Sequence, residues 1–206
     1  MPKLILLSML FAANFAFSQS LIEHRLLTQG IDGDEVARNY RLFVPANLAE
    51  SPALVIVMHG YSGDSESIMQ YSGMNDLAED HGFIVAYPQG TIDDEGNAFF
   101  NVGYDFHQGR TVDDVAFVEA IVAEIVLEYS VGLNKIFATG MSNGGEMSYL
   151  LACRSSEVFR AVAPVAGSMM KAMVDQCAPD RMLPILAISG TADPVTLYAG
   201  DMQNSG

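Results

Sequence analysis

The residues best suited to chemistry lie in Gly140-Met141-Ser142-Asn143-Gly144-Gly145. This is a G-x-S-x-G pattern. It marks an acyl-transfer nucleophile when it falls on a sharp turn between a buried strand and a helix. Such a turn strains the serine backbone, and it needs small residues two positions before and after because strand and helix approach closely there. The hydroxyl then stands clear of the sheet at a helix N-terminus, where partial positive charge favours a developing anion. A glycine-rich turn with an incidental serine would spell the same pattern, so the flanking elements decide. Ile136-Phe137-Ala138-Thr139 reads as a strand and Gly144 to Cys153 as a helix, which makes Ser142 the candidate nucleophile.

A serine nucleophile needs donors for the oxyanion and a base oriented by an acid. The apolar run Ala53 to Met58 ends in His59-Gly60-Tyr61-Ser62-Gly63. A His-Gly pair after a buried strand is where the fold that carries this serine turn places one amide donor. The expected pair is the amide of Tyr61 and the amide of Asn143, with His59 as a structural hydrogen-bonding residue rather than the base. Ile185 to Ile188 leads into Ser189-Gly190-Thr191-Ala192-Asp193-Pro194. Asp193 follows Ser142 in the chain order serine, acid, histidine, and is the candidate acid. An Asp-Pro turn residue is the plainer alternative. Asp113-Asp114 opens a helix, where capping and the helix dipole account for it. No histidine follows Asp193. The four present are His24, His59, His81 and His107, all before Ser142. The chain also ends in polar residues, so the base is expected to lie outside this sequence, on a C-terminal portion that it lacks.

These residues need a scaffold. Ala53–Met58, Phe83–Tyr87, Ile136–Thr139 and Ile185–Ile188 are short, continuous, β-branched apolar runs, the pattern of strands buried on both faces. Ala161 to Ala166 is a weaker fifth. Leu21–Leu27 and Arg38–Val44 read as two further strands joined across an Asp32-Gly33-Asp34 turn. Helical spacing appears at Met74–Asp80 and at Asp113–Glu128, whose Val115, Val118, Ile121, Val122, Ile125 and Val126 form an apolar stripe. Strands alternating with helices imply an α/β fold with a mainly parallel sheet and helices on both faces. Active sites of such sheets sit at the carboxyl ends of strands, where all the candidates fall.

The chain has 206 residues, enough for one domain with a sizeable core. A net charge of −15 disfavours nucleic acid and anionic membrane as partners, and reads mainly as a device for solubility. Met1-Pro2-Lys3, the apolar run Leu4–Phe17 and Ala16-Phe17-Ser18 read as a signal peptide cleaved after Ser18. That leaves residues 19–206 as the domain and predicts export to the periplasm or the exterior. Export permits a Cys153–Cys177 disulfide, worth roughly 3 kcal/mol by chain entropy. Two free thiols are the alternative. There is no Cys/His cluster of the kind that holds zinc.

Taken together, several segments resemble the secreted α/β-hydrolase esterases that include polyhydroxybutyrate depolymerase-like, feruloyl and acetylxylan enzymes. They are His59-Gly60-Tyr61, Phe100-Asn101, Val112 to Phe117, Gly140 to Gly145, Phe159 to Gly167 and Gly190 to Pro194. The resemblance runs from about Arg38 onward. It implies an α/β-hydrolase fold whose last strand and helix are missing here, and a cofactor-free Ser-Asp-His esterase acting through an acyl-enzyme at Ser142. Its partner would be a neutral ester, polymer or oligomer, of the polyhydroxyalkanoate or plant-polysaccharide type. The family usually has Trp-Asn where this chain has Phe100-Asn101, and its glycine-histidine-tryptophan segment is absent, so this chain alone is expected to be inactive. A catalytically dead polymer- or carbohydrate-binding relative and a secreted serine peptidase are the competing readings.

Overall fold

The computed structural model describes residues 20–30 and 32–200. The segment read as a signal peptide and the last six residues lie outside them. Among the described residues there are eight strands: β1 (Ser20–Gln29), β2 (Glu35–Val44), β3 (Leu54–Met58), β4 (Ile84–Pro88), β5 (Thr91–Ile92), β6 (Ala98–Phe99), β7 (Ile136–Met141) and β8 (Ala161–Val165). The helices are α1 (Ser65–Ser72), α2 (Met74–His81), α3 (Asp114–Tyr129), α4 (Asn143–Arg154) and α5 (Lys171–Gln176), with a 3-10 turn at Asp105–His107. The main sheet runs β1-β2-β4-β3-β7-β8, and β5 pairs with β6 in a small separate hairpin. β3, β4, β7 and β8 pair in parallel, while β1 and β2 form an antiparallel flank. This is the α/β-hydrolase arrangement.

Period-two alternation divides each central strand between two cores. Leu54, Ile56 and Met58 of β3 join Ile84, Ala86, Ile136 and Ala138 under the apolar stripe of α3 and the inner face of α4. The intervening Val57, with Val85, Tyr87 and Phe43, packs on Ile68 of α1 and Ala78 of α2. Helices therefore cover both faces, and only residues at strand ends remain free for chemistry.

Ile185–Ile188 differs from the expected full strand. It makes two isolated parallel bridges to β8, Val162 to Ile185 and Val165 to Ile188. Ile185, Leu186 and Ile188 are 48%, 65% and 50% exposed, because no neighbour covers them among the described residues. α1, α5 and the β5–β6 hairpin are elements that hydrophobic periodicity does not reveal. They are short, and the hairpin strands have two residues each.

Candidate active site

β7 ends at Met141, and the chain turns at Ser142 with φ 55° and ψ −120° before α4 begins. A non-glycine residue stays in such a region only when its surroundings enforce it, at about 1–3 kcal/mol. The enforcement is visible in the packing. A Cβ on Gly140 would lie 2.5 Å from backbone atoms of Gly144, and one on Gly144 would lie 2.3 Å from the Met58 carbonyl oxygen. On the far side, the Ser142 N–H donates to the Val165 carbonyl at 2.8 Å. Ser142 is half-buried. Asn143 is the first helical residue, so its N–H has no partner within α4. The Asn143 side chain grips the Phe100 backbone, accepting its N–H at 2.7 Å and donating to its carbonyl at 3.0 Å.

The loop after β3 lies against this turn. A Cβ on Gly60 would be 3.4 Å from Ser142 Cβ and 4.0 Å from Ser142 Oγ. Both nitrogens of buried His59 are engaged: Nε2 accepts the Gly90 N–H at 2.9 Å, and Nδ1 donates to the Gly60 carbonyl at 2.8 Å. An accepting Nε2 requires the neutral ring. Burial also lowers the His59 pKa, against the opposing pull of the Gly60 carbonyl, Asp64 and Asp114. His59 is thus a scaffold residue. Of the four non-glycine residues with positive φ among the described residues, Ser62, Ser142 and Ala166 border this site, and Ser130 caps α3. A cavity of about 260 Å³ opens beside Gly60, Tyr61 and Met141, completed by Ile68 and Tyr71 of α1. No charged side chain lines it.

Asp193 is half-buried in the loop beyond Ile188. Its Oδ1 accepts the N–H groups of Val195 at 2.8 Å and Thr196 at 3.0 Å. The Thr196 hydroxyl donates to the Ala166 carbonyl at 2.9 Å. The end of β8 is therefore bonded to the Ser142 turn through Val165 and to the Asp193 loop through Ala166.

Each histidine has its own setting. His24 Nδ1 lies 3.1 Å from Glu124 Oε1 and stacks on Tyr40, His81 is exposed at the end of α2, and His107 Nε2 lies 3.2 Å from Asp93 Oδ2. Cys153 and Cys177 form a disulfide that ties α4 to the end of α5, with Cα atoms 5.0 Å apart.

Three polar groupings escape sequence reasoning, because their members are far apart in the chain. Asp113 caps α3 by accepting the Ala116 N–H, whereas Asp114 is fully buried against Arg38 at 2.5 Å and accepts the Asn101 N–H at 2.7 Å. The Tyr104 hydroxyl donates to buried Glu146. Burial raises the Glu146 pKa, opposed by Tyr104 and the Ser168 amide. Asp93 gathers Tyr61 and His107. The Asp93-Asp94-Glu95-Gly96-Asn97 stretch signals a turn, and that is the only advance notice.

Relatives carry related sequences and the same fold. The chain is 34% identical over 151 residues to feruloyl esterase B of Piromyces equi, a match covering 72% of this chain and 27% of that protein. It is 26% identical over 201 residues to poly(3-hydroxyalkanoate) depolymerase C of Paucimonas lemoignei, covering 97% of this chain and 47% of the relative. The chain thus spans half or less of the length of either. The acetyl xylan esterase of Aspergillus awamori superposes with a TM-score of 0.59 at 22% identity, covering 78% of this chain and 58% of that one, a likeness of fold. The family profile described as esterase PHB depolymerase matches residues 38–203, from the buried Arg38 past the Asp193 loop, and this chain belongs to that esterase family.

Proposed function

We propose that the protein hydrolyses neutral carboxylic esters by acyl transfer through Ser142. The observation that carries this reading is the strained Ser142 turn with the Gly60 loop in contact with it. Ser142 Oγ attacks the ester carbonyl carbon and passes its proton to a histidine base. The amides of Tyr61 and Asn143 receive the oxyanion, and the N-terminus of α4 adds its partial positive charge. The intermediate collapses, the departing alcohol takes the proton back, and an acyl-Ser142 remains for water to hydrolyse.

Asp193 orients the base and stabilises its charged form. The base itself is a histidine outside this sequence, since none of the four present fits the role. The 206-residue chain alone is therefore expected to turn over almost nothing. The Leu4–Phe17 leader directs export, and the Cys153–Cys177 bond suits an oxidising compartment. The uncharged cavity beside Met141 favours a neutral substrate. Relatives named feruloyl esterase and poly(3-hydroxyalkanoate) depolymerase support an ester of a polysaccharide or polyester.

The test uses the full-length reading frame. A fluorophosphonate should label Ser142, and Ser142→Ala should abolish both labelling and hydrolysis of p-nitrophenyl acetate and methyl ferulate. Wild-type protein that leaves the probe untouched would reduce it to a non-catalytic binding relative. Peptide turnover exceeding ester turnover would make it a peptidase.

A further inference from the structure

The loop that holds the Tyr61 amide has no regular structure of its own. It combines Gly60 with Ser62 at φ 62°. Within it the Gly60 carbonyl accepts the Gly63 N–H at 3.0 Å and His59 Nδ1 at 2.8 Å, and further hydrogen bonds come from residues 90–98. The Gly90 N–H bonds His59 Nε2 at 2.9 Å, and the Ser62 N–H donates to the Ala98 carbonyl at 2.8 Å. The Tyr61 hydroxyl donates to Asp93 Oδ2 at 2.5 Å and accepts from Asn97 Nδ2 at 2.9 Å.

Asp93 is the hub. It is 7% exposed. Its Oδ1 accepts the N–H groups of Glu95 at 3.0 Å and Asn97 at 2.8 Å, which closes the hairpin turn. Its Oδ2 receives the Tyr61 hydroxyl and faces His107 Nε2 at 3.2 Å. The Tyr61 ring is further hemmed in edge-on by Phe106 at 5.8 Å and Tyr104 at 6.5 Å. Both hydrogen bonds of the phenol go to the hairpin turn, through Asp93 and Asn97, and that gives the side chain a positional use.

We propose that Asp93 is a positioning residue for oxyanion stabilisation: with the β5–β6 hairpin it clamps the Tyr61 phenol and thereby fixes the Tyr61 amide beside Ser142. The inference rests on the acyl-transfer reading above. Its physical basis is that a small misplacement of a catalytic group is expensive, about 10²-fold for 1 Å. Asparagine cannot replace this aspartate. All four partners of the carboxylate are donors, and an amide would turn its own NH₂ toward two of them.

The experiment measures full-length enzyme carrying Asp93→Asn, Tyr61→Phe or both. Active sites are titrated with fluorophosphonate so that misfolded molecules drop out. Each single variant should lose about 10- to 100-fold in kcat, with KM within about threefold. Inhibition by a trifluoromethyl ketone, whose serine adduct carries an oxyanion, should weaken by the same factor. The double variant should lose no more than the worse single, because the two residues act through one contact. Tyr61→Phe needs no buried charge rearranged, and a wild-type kcat for it overturns the proposal even if Asp93→Asn fails to fold. Additive losses, or ketone inhibition unchanged per active site, overturn it equally. If Ser142→Ala hydrolyses ester as well as wild type, the acyl-transfer reading fails and takes this one with it. A normal Ser142→Ala loss with a normal Tyr61→Phe removes the clamp alone.

Discussion

The two loops that flank the end of β8 are built in opposite ways. The Ser142 turn is locked by backbone packed on backbone, with Gly140, Gly144, Gly145 and Gly167 all too close to neighbours to accept a side chain. The Asp193 loop is held by side-chain capping, through the Asp193 carboxylate and the Thr196 hydroxyl, and it follows a segment whose apolar side chains are half exposed. Ser142 thus sits on the side held by backbone packing and Asp193 on the side held by side-chain capping. In the proposed mechanism a nucleophile on the first loop would need that rigidity, whereas a carboxylate on the second would have to receive a base.

The most damaging change should be Gly144→Ala. Its Cβ would meet the Met58 and His59 carbonyl oxygens at 2.3 and 2.6 Å, with rigid backbone on every side. Thermal unfolding of this variant should show a loss of about 3 kcal/mol, at the upper end of overpacking effects. A melting curve within 1 °C of wild type would show that the turn is as compliant as the Asp193 loop.

Asp193→Asn should separate stability from activity. Asparagine keeps an acceptor for Val195 and Thr196, so the loss of stability should stay near 0.5 kcal/mol in denaturant titrations. In the full-length protein, ester turnover should fall by about 10⁴-fold, as expected when the group orienting a catalytic base is neutralised. A large unfolding effect would place this loop with the rigid half of the site.

The smallest effect belongs to Glu146, one turn into α4. Burial raises its folded-state pKa above the unfolded value. Its contribution to stability is therefore complete below the ordinary glutamate range and is lost as pH rises through the folded pKa. Glu146→Gln should flatten that decline, so the variant should gain on wild type as pH rises above the ordinary glutamate range. Parallel melting-temperature profiles would show that Tyr104 and Ser168 fully offset the burial.

The parallel strands, the two longest helices and the Ser142 turn were legible in the sequence because each announces itself locally. β-branched runs mark strands buried on both faces, an apolar stripe marks α3, and glycines at fixed offsets mark the turn. Arg38–Asp114, Tyr104–Glu146 and the Asp93 cluster were not legible. Their partners are 76, 42 and 32 residues apart for Arg38–Asp114, Tyr104–Glu146 and Asp93–Tyr61, and a buried polar group gives no periodic signal. Ile185–Ile188 shows the converse. Its composition spells a buried strand, yet among the described residues only β8 pairs with it, so it makes isolated bridges.

The order of residues by itself determined the α/β class, the family, and the identities of Ser142 and Asp193 as candidates, because local patterns set strand, turn and helix without reference to distant neighbours. The tertiary structure alone decided that His59 is a neutral scaffold residue, that Asp114 neutralises Arg38 in the core, and that a hairpin thirty residues downstream holds the Tyr61 loop. Those roles depend on which donors and acceptors meet when water is excluded, and that is settled only when the chain has closed.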